Sequence, residues 1–435
     1  DVMLRDEGMA ELLPACNTVI FDEAHQLPEV ATLFFGETVS TAQVIDLARD
    51  ARAEGLINAR DCIDLQEGTR KLEKVAKDMR LAVGVDAARF SYGQLQEKPE
   101  FVPALDTLHA EVSAFAAILE TQAERSEGLE KCWQRALELA QRLAKWQMNN
   151  DPGVVRWAEA FTHSLQLIAT PLDVADIFRK QMGGHPRAWI FTSATLAVQG
   201  KFHHYCAELG LGEADSACWE SPFDYEAQAI LYAPLGMPEP NSYGYTEAVI
   251  DAAFPALVAS GGGAFFLSTS LRAMRRMHEL LKARLEDEGH DFPLLMQGEG
   301  SKNELLERFR RLGNAVLVGS QSFWEGVDVR GEALSLVVID KLPFAPPDDP
   351  VLSARIEQMK KEGRNAFMEY QLPRAVINVK QGAGRLIRDE NDKGVLMMCD
   401  PRLISKPYGR RVWQSLPPMK RTRELQVVLD FFANR

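Results

Sequence analysis

A short apolar run, Val19-Ile20-Phe21, stops at two adjacent carboxylates, Asp22 and Glu23, and an imidazole follows at His25. The pattern fits a buried strand whose carboxyl end delivers acids into a crevice, where α/β folds place their ligands. Far downstream, residues 381–388 (Gln-Gly-Ala-Gly-Arg-Leu-Ile-Arg) supply paired arginines. Acids that serve a metal on one side and arginines on the other are what phosphoryl transfer from a nucleotide needs.

The rest of the chain fits an α/β protein of several domains. At 435 residues it exceeds one ordinary domain. Short apolar runs (264–267, 315–318, 334–339 and 395–398) alternate with amphipathic segments (271–286, 302–312 and 373–379), which implies a mostly parallel sheet covered by helices. Residues 37–165 instead read as almost entirely helical, with sparse Gly and Pro. The expected plan has four parts: 1–36 and 166–225 from a first, incomplete domain, 37–165 inserted into it, and 226–435 as a second domain. Prolines 234, 238 and 240 suit a linker near the seam.

Composition sets limits on partners. The net charge of −13 argues against a general nucleic-acid binder, yet residues 402–423 carry seven bases and no acid, so a local basic track remains open. No apolar stretch is expected to be long enough for a membrane span, so no membrane partner is expected. Six cysteines without a CxxC pair fit a reducing cytoplasm better than a disulfide framework.

Five elements can carry chemistry, and each has a plainer reading. Adjacent strand residues point to opposite sides, so Asp22 can hold Mg²⁺ through water while Glu23 orients a water; alternatively Asp22 only caps a helix. Thr192-Ser193-Ala194-Thr195 follows an apolar run and either bonds a phosphate or neighbouring loop, or caps a helix. In residues 319–328, glycines such as Gly326 let amides approach an anion, and Asp328 suits a ribose hydroxyl, while Phe323 and Trp324 stack on bases or fill the core. Arg385 and Arg388 are one helical turn apart and can grip one phosphate, or lie on a solvated face. Ser268 and Ser270 either touch a nucleic-acid backbone or cap the helix that follows.

In order and context, residues 22–25, 192–195, 319–328 and 381–388 resemble motifs II, III, V and VI of superfamily 2 helicases. The long insert between the second and third motifs is similar to the Arch domain of the XPD-like family. Residues 169–174, 340–344 and 399–403 resemble its bacterial DinG/YoaA branch. The resemblance implies a 5′→3′ ATP-dependent DNA helicase acting in repair or replication, with two RecA-like motor domains, ATP and Mg²⁺, and single-stranded or forked DNA. It implies that Asp22 serves the metal, Glu23 polarises the attacking water and His25 couples the ATP site to Gln381 across the cleft. Arg385 and Arg388 become arginine fingers, and Ser193 and Thr195 link hydrolysis to DNA movement. Ser268, Ser270 and Ser322 become strand contacts.

Two departures shape the expectation. The 435 residues contain no G-x-x-x-x-G-K-[ST] loop, and the four closely spaced cysteines of the family's iron–sulfur domain are absent. The chain therefore reads as the C-terminal part of such a helicase, expected to hydrolyse ATP poorly by itself. A scaffold that has kept the motor fold without catalysis is the alternative. The resemblance also implies a replication-clamp-loader subunit as partner, docking on the terminal helix through Leu425, Val428, Leu429 and Phe432; that face otherwise packs on its own domain.

Overall fold

The computed structural model describes residues 16–184, 187–320, 323 and 333–434. Strand β1 (Thr18–Phe21) pairs in parallel with β6 (Ala188–Phe191), Phe21 opposite Phe191. Side chains alternate across this ribbon, so Val19 and Phe21 turn inward while Ile20 and Ile190 stand on the open face. Phe21 stacks on Trp189 and Phe191. Ala24, Ala31, Phe178, Leu196 and Leu209 complete a small core beneath it. Parallel pairing requires a crossover, and here the crossover contains the whole insertion.

The insertion is a sheet-and-helix unit, not the nearly all-helical segment the sequence suggests. Its strands β2 (Glu37–Ser40), β3 (Ala88–Ser91), β4 (Val154–Ala160) and β5 (Leu165–Pro171) form an antiparallel sheet in the order β2-β5-β4-β3. Strand β5 falls almost wholly in the segment expected to return to the first domain, yet it pairs with β2 and β4, so the crossing back lies after Pro171. The helices Thr41–Asn58, Ile63–Leu81, Phe101–Glu120 and Glu127–Met148 share one core with the sheet. Ser40 starts the first of them with a reciprocal capping box to Gln43. Helix Phe101–Glu120 does have the length and apolarity of a membrane span, contrary to the expectation that no stretch does. Its face of Phe101, Leu105, Leu108, Val112, Phe115 and Leu119 is buried inside the insertion, so it is a core helix by its packing.

The second lobe is built on seven parallel strands ordered β13-β7-β12-β11-β8-β10-β9. They are β7 (Ala229–Tyr232), β8 (Ala264–Ser268), β9 (Leu294–Met296), β10 (Val316–Ser320), β11 (Leu336–Ile339), β12 (Gly394–Met398) and β13 (Lys420–Thr422). Both faces are covered, so the central strands read as unbroken apolar runs rather than alternating ones. Phe265, Leu317, Val337 and Leu396 face one helical layer; Phe266, Val318, Val338 and Met397 face the other.

The terminal helix Leu425–Ala433 lies on the second layer. Val428 and Phe432 are buried there and Leu425 and Phe431 pack beside them, next to helix Tyr245–Ser260. Of the face expected to receive a clamp-loader subunit, Leu425, Val428 and Phe432 thus pack on the domain itself, and a partner on those three would have to displace it.

Candidate active site

Because β1 and β6 run side by side in register, their ends bring Asp22-Glu23 against Thr192-Ser193. The backbone locks the junction: Thr192 N donates to Phe21 O at 2.8 Å and Ala24 N to Thr192 O at 2.9 Å. Glu23 makes the turn in the left-handed region, φ 49° and ψ 39°. A side chain there costs of order 1–3 kcal/mol, and such positions concentrate at functional sites. The strain lets the chain reverse within one residue while both carboxylates stay exposed.

Asp22 Oδ1 accepts from Glu23 N at 2.9 Å and from Thr192 Oγ1 at 3.0 Å. Only that oxygen is engaged among the described residues, which leaves Oδ2 for a metal-bound water. No group of three or more His, Cys, Asp or Glu side chains among the described residues is arranged to hold a metal. Mg²⁺ needs only one or two carboxylates and keeps its waters, so the acid pair fits it. Thr192, read from the sequence only as part of the 192–195 run, steadies Asp22.

From Glu23 a chain of polar contacts crosses to the second lobe. Ser193 Oγ donates to Glu23 Oε2 at 3.3 Å and lies 3.0 Å from His25 Nδ1. The His25 ring is 6% exposed, with Nδ1 3.4 Å from Glu23 Oε2 and 3.5 Å from Gln381 Nε2. Gln381 donates to Thr195 Oγ1 at 2.6 Å, and Arg385 Nη2 donates to Gln381 Oε1 at 3.1 Å. Gln381 and Arg385 are both buried. Acid pair and guanidinium therefore sit at the two ends of one chain of polar contacts: Glu23 accepts from Ser193, Ser193 Oγ lies 3.4 Å from Thr195 Oγ1, Thr195 accepts from Gln381 and Gln381 accepts from Arg385, with His25 Nδ1 set against Glu23, Ser193 and Gln381.

The local geometry around the arginines departs from expectation. Helix Leu372–Ala383 ends before them, with Gly384 as its cap, so Arg385 and Arg388 are not one helical turn apart. Arg388 sits in the following loop, half-buried, its amide held by Asp392 Oδ2 at 2.7 Å.

The expected strand contacts fare unevenly. Ser268 is fully buried, and its hydroxyl donates to Ser270 O at 3.0 Å, so it does not face a nucleic-acid backbone. Ser270 is exposed but already caps helix Leu271–Glu288 by accepting from Ala273 N. Ser322, Gly326 and Asp328 lie outside the described residues, as does Trp324. Phe323 is core, not a stacking platform. Nearby, Asp340 Oδ1 accepts from Thr269 N at 3.1 Å and Lys341 N at 2.6 Å and fixes the loops after β8 and β11. Burial pushes its carboxyl up to about 7, with Asp400 adding to the rise. A cavity of about 490 Å³ also opens between the lobes, lined by Pro28, His204, Arg355 and Tyr370, but the acid pair does not line it.

Comparison with known proteins agrees with this architecture. Residues 255–419 match the family model "Helicase C-terminal domain". The chain is 41% identical over 433 residues to "ATP-dependent DNA helicase YoaA" of Escherichia coli (strain K12), covering all of this chain and 67% of that protein. The chain belongs to the XPD/DinG family of helicases. A YoaA of Haemophilus influenzae (strain ATCC 51907 / DSM 11121 / KW20 / Rd) is 38% identical, again across the whole chain and 67% of its own length. The fold matches the solved structure titled "XPD_APO" with a TM-score of 0.58 at 17% identity, over 94% of this chain and 78% of that one. Within the XPD/DinG family this chain is YoaA-like, and the parallel sheets of both lobes are family architecture.

Proposed function

We propose that this chain carries the hydrolytic residues of an ATP-driven DNA helicase, divided between two RecA-like lobes. The observation that carries the reading is the chain of polar contacts from Glu23 through Ser193, Thr195 and Gln381 to Arg385, with His25 packed against it. A triphosphate between the lobes meets carboxylates on one wall and a guanidinium on the other, the arrangement phosphoryl transfer uses. Asp22 would hold Mg²⁺ through its waters, and the ion would supply positive charge against the nucleotide's phosphates. Glu23, braced by Ser193 and His25, orients the attacking water and takes up its proton. Arg385, braced by Gln381, faces the charge that develops on the transferred phosphoryl group. Because Gln381 also bonds Thr195, loss of the γ-phosphate is felt on both lobes together.

By family likeness we assign the insertion as an Arch-type domain, DNA as the track, 5′→3′ as the direction and repair or replication as the setting. The sheet-and-helix unit placed between β1 and β6 supports the first of these. The test is single-strand-stimulated ATP hydrolysis by the full-length protein that carries this chain. Glu23→Gln should lower kcat by about 10²–10⁴-fold, the usual worth of a general base. A variant as fast as the parent would remove Glu23 from the chemistry and leave the scaffold reading standing.

A further inference from the structure

Helix Leu372–Ala383 crosses the interlobe boundary with one face, and that face carries a charge the proposed mechanism does not use. Arg374 reaches Glu208 of the first lobe at 3.5 Å and lies over the Tyr370 ring at 4.7 Å. Two turns on, Lys380 Nζ donates to Ala197 O at 2.9 Å. The next residue, Gln381, donates to Thr195 Oγ1. Lys380 and Gln381 thus form adjacent rungs onto residues 197 and 195 of one first-lobe loop. The second of these rungs is the one that holds the amide presented to Arg385.

We propose that Lys380 is a positioning residue for the interlobe site: its ammonium on the Ala197 carbonyl sets helix Leu372–Ala383 at the height where Gln381 reaches Thr195 and Arg385 faces the acid pair. The inference rests on the ATP-hydrolysis reading above. Its physical basis is the cost of burying a charge. An ammonium gives up hydration on entering the interface, and one carbonyl returns only part of it. Burial accordingly lowers the affinity of the Lys380 amine for its proton. An apolar side chain of equal length would fill the space without that cost, but would not fix a direction. A methionine there would let the lobes meet at several heights. A lysine makes one directional bond on closure and regains its water on opening, so the closed state is defined without being locked. A motor that opens and closes once per ATP needs both properties.

The experiment compares Lys380→Met and Lys380→Arg in the full-length protein, measuring kcat and KM for ATP with saturating single-stranded DNA, alongside the melting temperature. The expected result for Lys380→Met is a fall in kcat of about tenfold or more, with KM changed by no more than about twofold, the mark of an interaction needed in the transition state. Lys380→Arg, which keeps a donor of similar reach, should recover most of the lost kcat. Equal kcat in the parent and Lys380→Met would overturn the proposal. So would equal losses in both variants with a matching drop in melting temperature, which indicates a packing role alone. If the parent protein shows no DNA-stimulated hydrolysis, the underlying reading fails as well, and that outcome is separable because it needs no variant.

Discussion

At the residue scale, the site depends on side chains held where they are expensive to hold. Glu23 occupies a left-handed backbone position with φ 49°, and Arg385 is a buried guanidinium bonded to Gln381. Arg385→Ala should reduce DNA-stimulated kcat by about 10³-fold or more, the usual worth of an arginine finger. The effect of Arg388→Ala should be smaller, because Arg388 follows the helix end in a loop tied by its own amide to Asp392 Oδ2; steady-state kinetics of the two variants side by side decide the ranking. Asp340 gives a stability prediction. Its folded value of about 7 lies above the ordinary 3.8, so the native state holds a proton that the unfolded chain has already released. Its contribution is therefore complete below about pH 4 and is lost as pH rises through about 7, by at most about 4 kcal/mol. Asp340→Asn keeps the acceptor for Thr269 N and Lys341 N, so denaturant titrations of this variant should show a flatter pH profile between 5 and 8. Asp22, Glu23, His25, Gln381 and Arg385 were legible because their order along the chain is distinctive. Lys380 was not, since a single lysine carries no pattern and its role comes from a partner far away in sequence; of Thr192 the sequence showed its place in the 192–195 run but not its bond to Asp22.

At the element scale, the sequence was most readable where one period dominates. The central strands of the second lobe are bare apolar runs between turn residues, and each run falls on an observed strand. The short strands of the insertion were hidden, because Ala88–Ser91 and Glu37–Ser40 are four residues each and flanked by strong helix formers. Their pairing is a tertiary effect, decided by β4 and β5 rather than by local preference. The helical spacing read for Arg385 and Arg388 fails because Gly384 ends the helix before them, and a single glycine in the sequence does not show on which side of it the helix lies. The Gly261-Gly262-Gly263 triplet, by contrast, closes helix Tyr245–Ser260 as its position suggests. Gly262 has φ 90°, its amide donates to Leu257 O, and an added Cβ would lie 2.1 Å from Asn314 O. Gly262→Ala should destabilise the second lobe by at least about 2 kcal/mol, combining backbone strain with a clash against main chain that cannot move aside. Urea unfolding of the variant measures it, and a change below about 0.5 kcal/mol, the scale of ordinary surface substitutions, would mean the turn relaxes freely.

At the scale of the whole molecule, two lobes and an insertion enclose a site that neither lobe completes. The 435 residues contain no phosphate-binding loop of the G-x-x-x-x-G-K-[ST] type. Such a loop cradles the phosphates and supplies a metal ligand. The isolated chain should therefore hydrolyse ATP at least about 10²-fold more slowly than the full-length protein, whose transition-state contacts it holds only in part. Parallel turnover assays on the two proteins test this. The most direct examination of the central claim is a structure of the full-length protein with Mg²⁺ and a non-hydrolysable ATP analogue. The account predicts the γ-phosphate between the lobes, with Arg385 in direct contact and Glu23 about one water away, within roughly 5 Å, as in-line attack requires. A nucleotide bound elsewhere, or lobes closed on it with Glu23 and Arg385 on different phosphates, would contradict it.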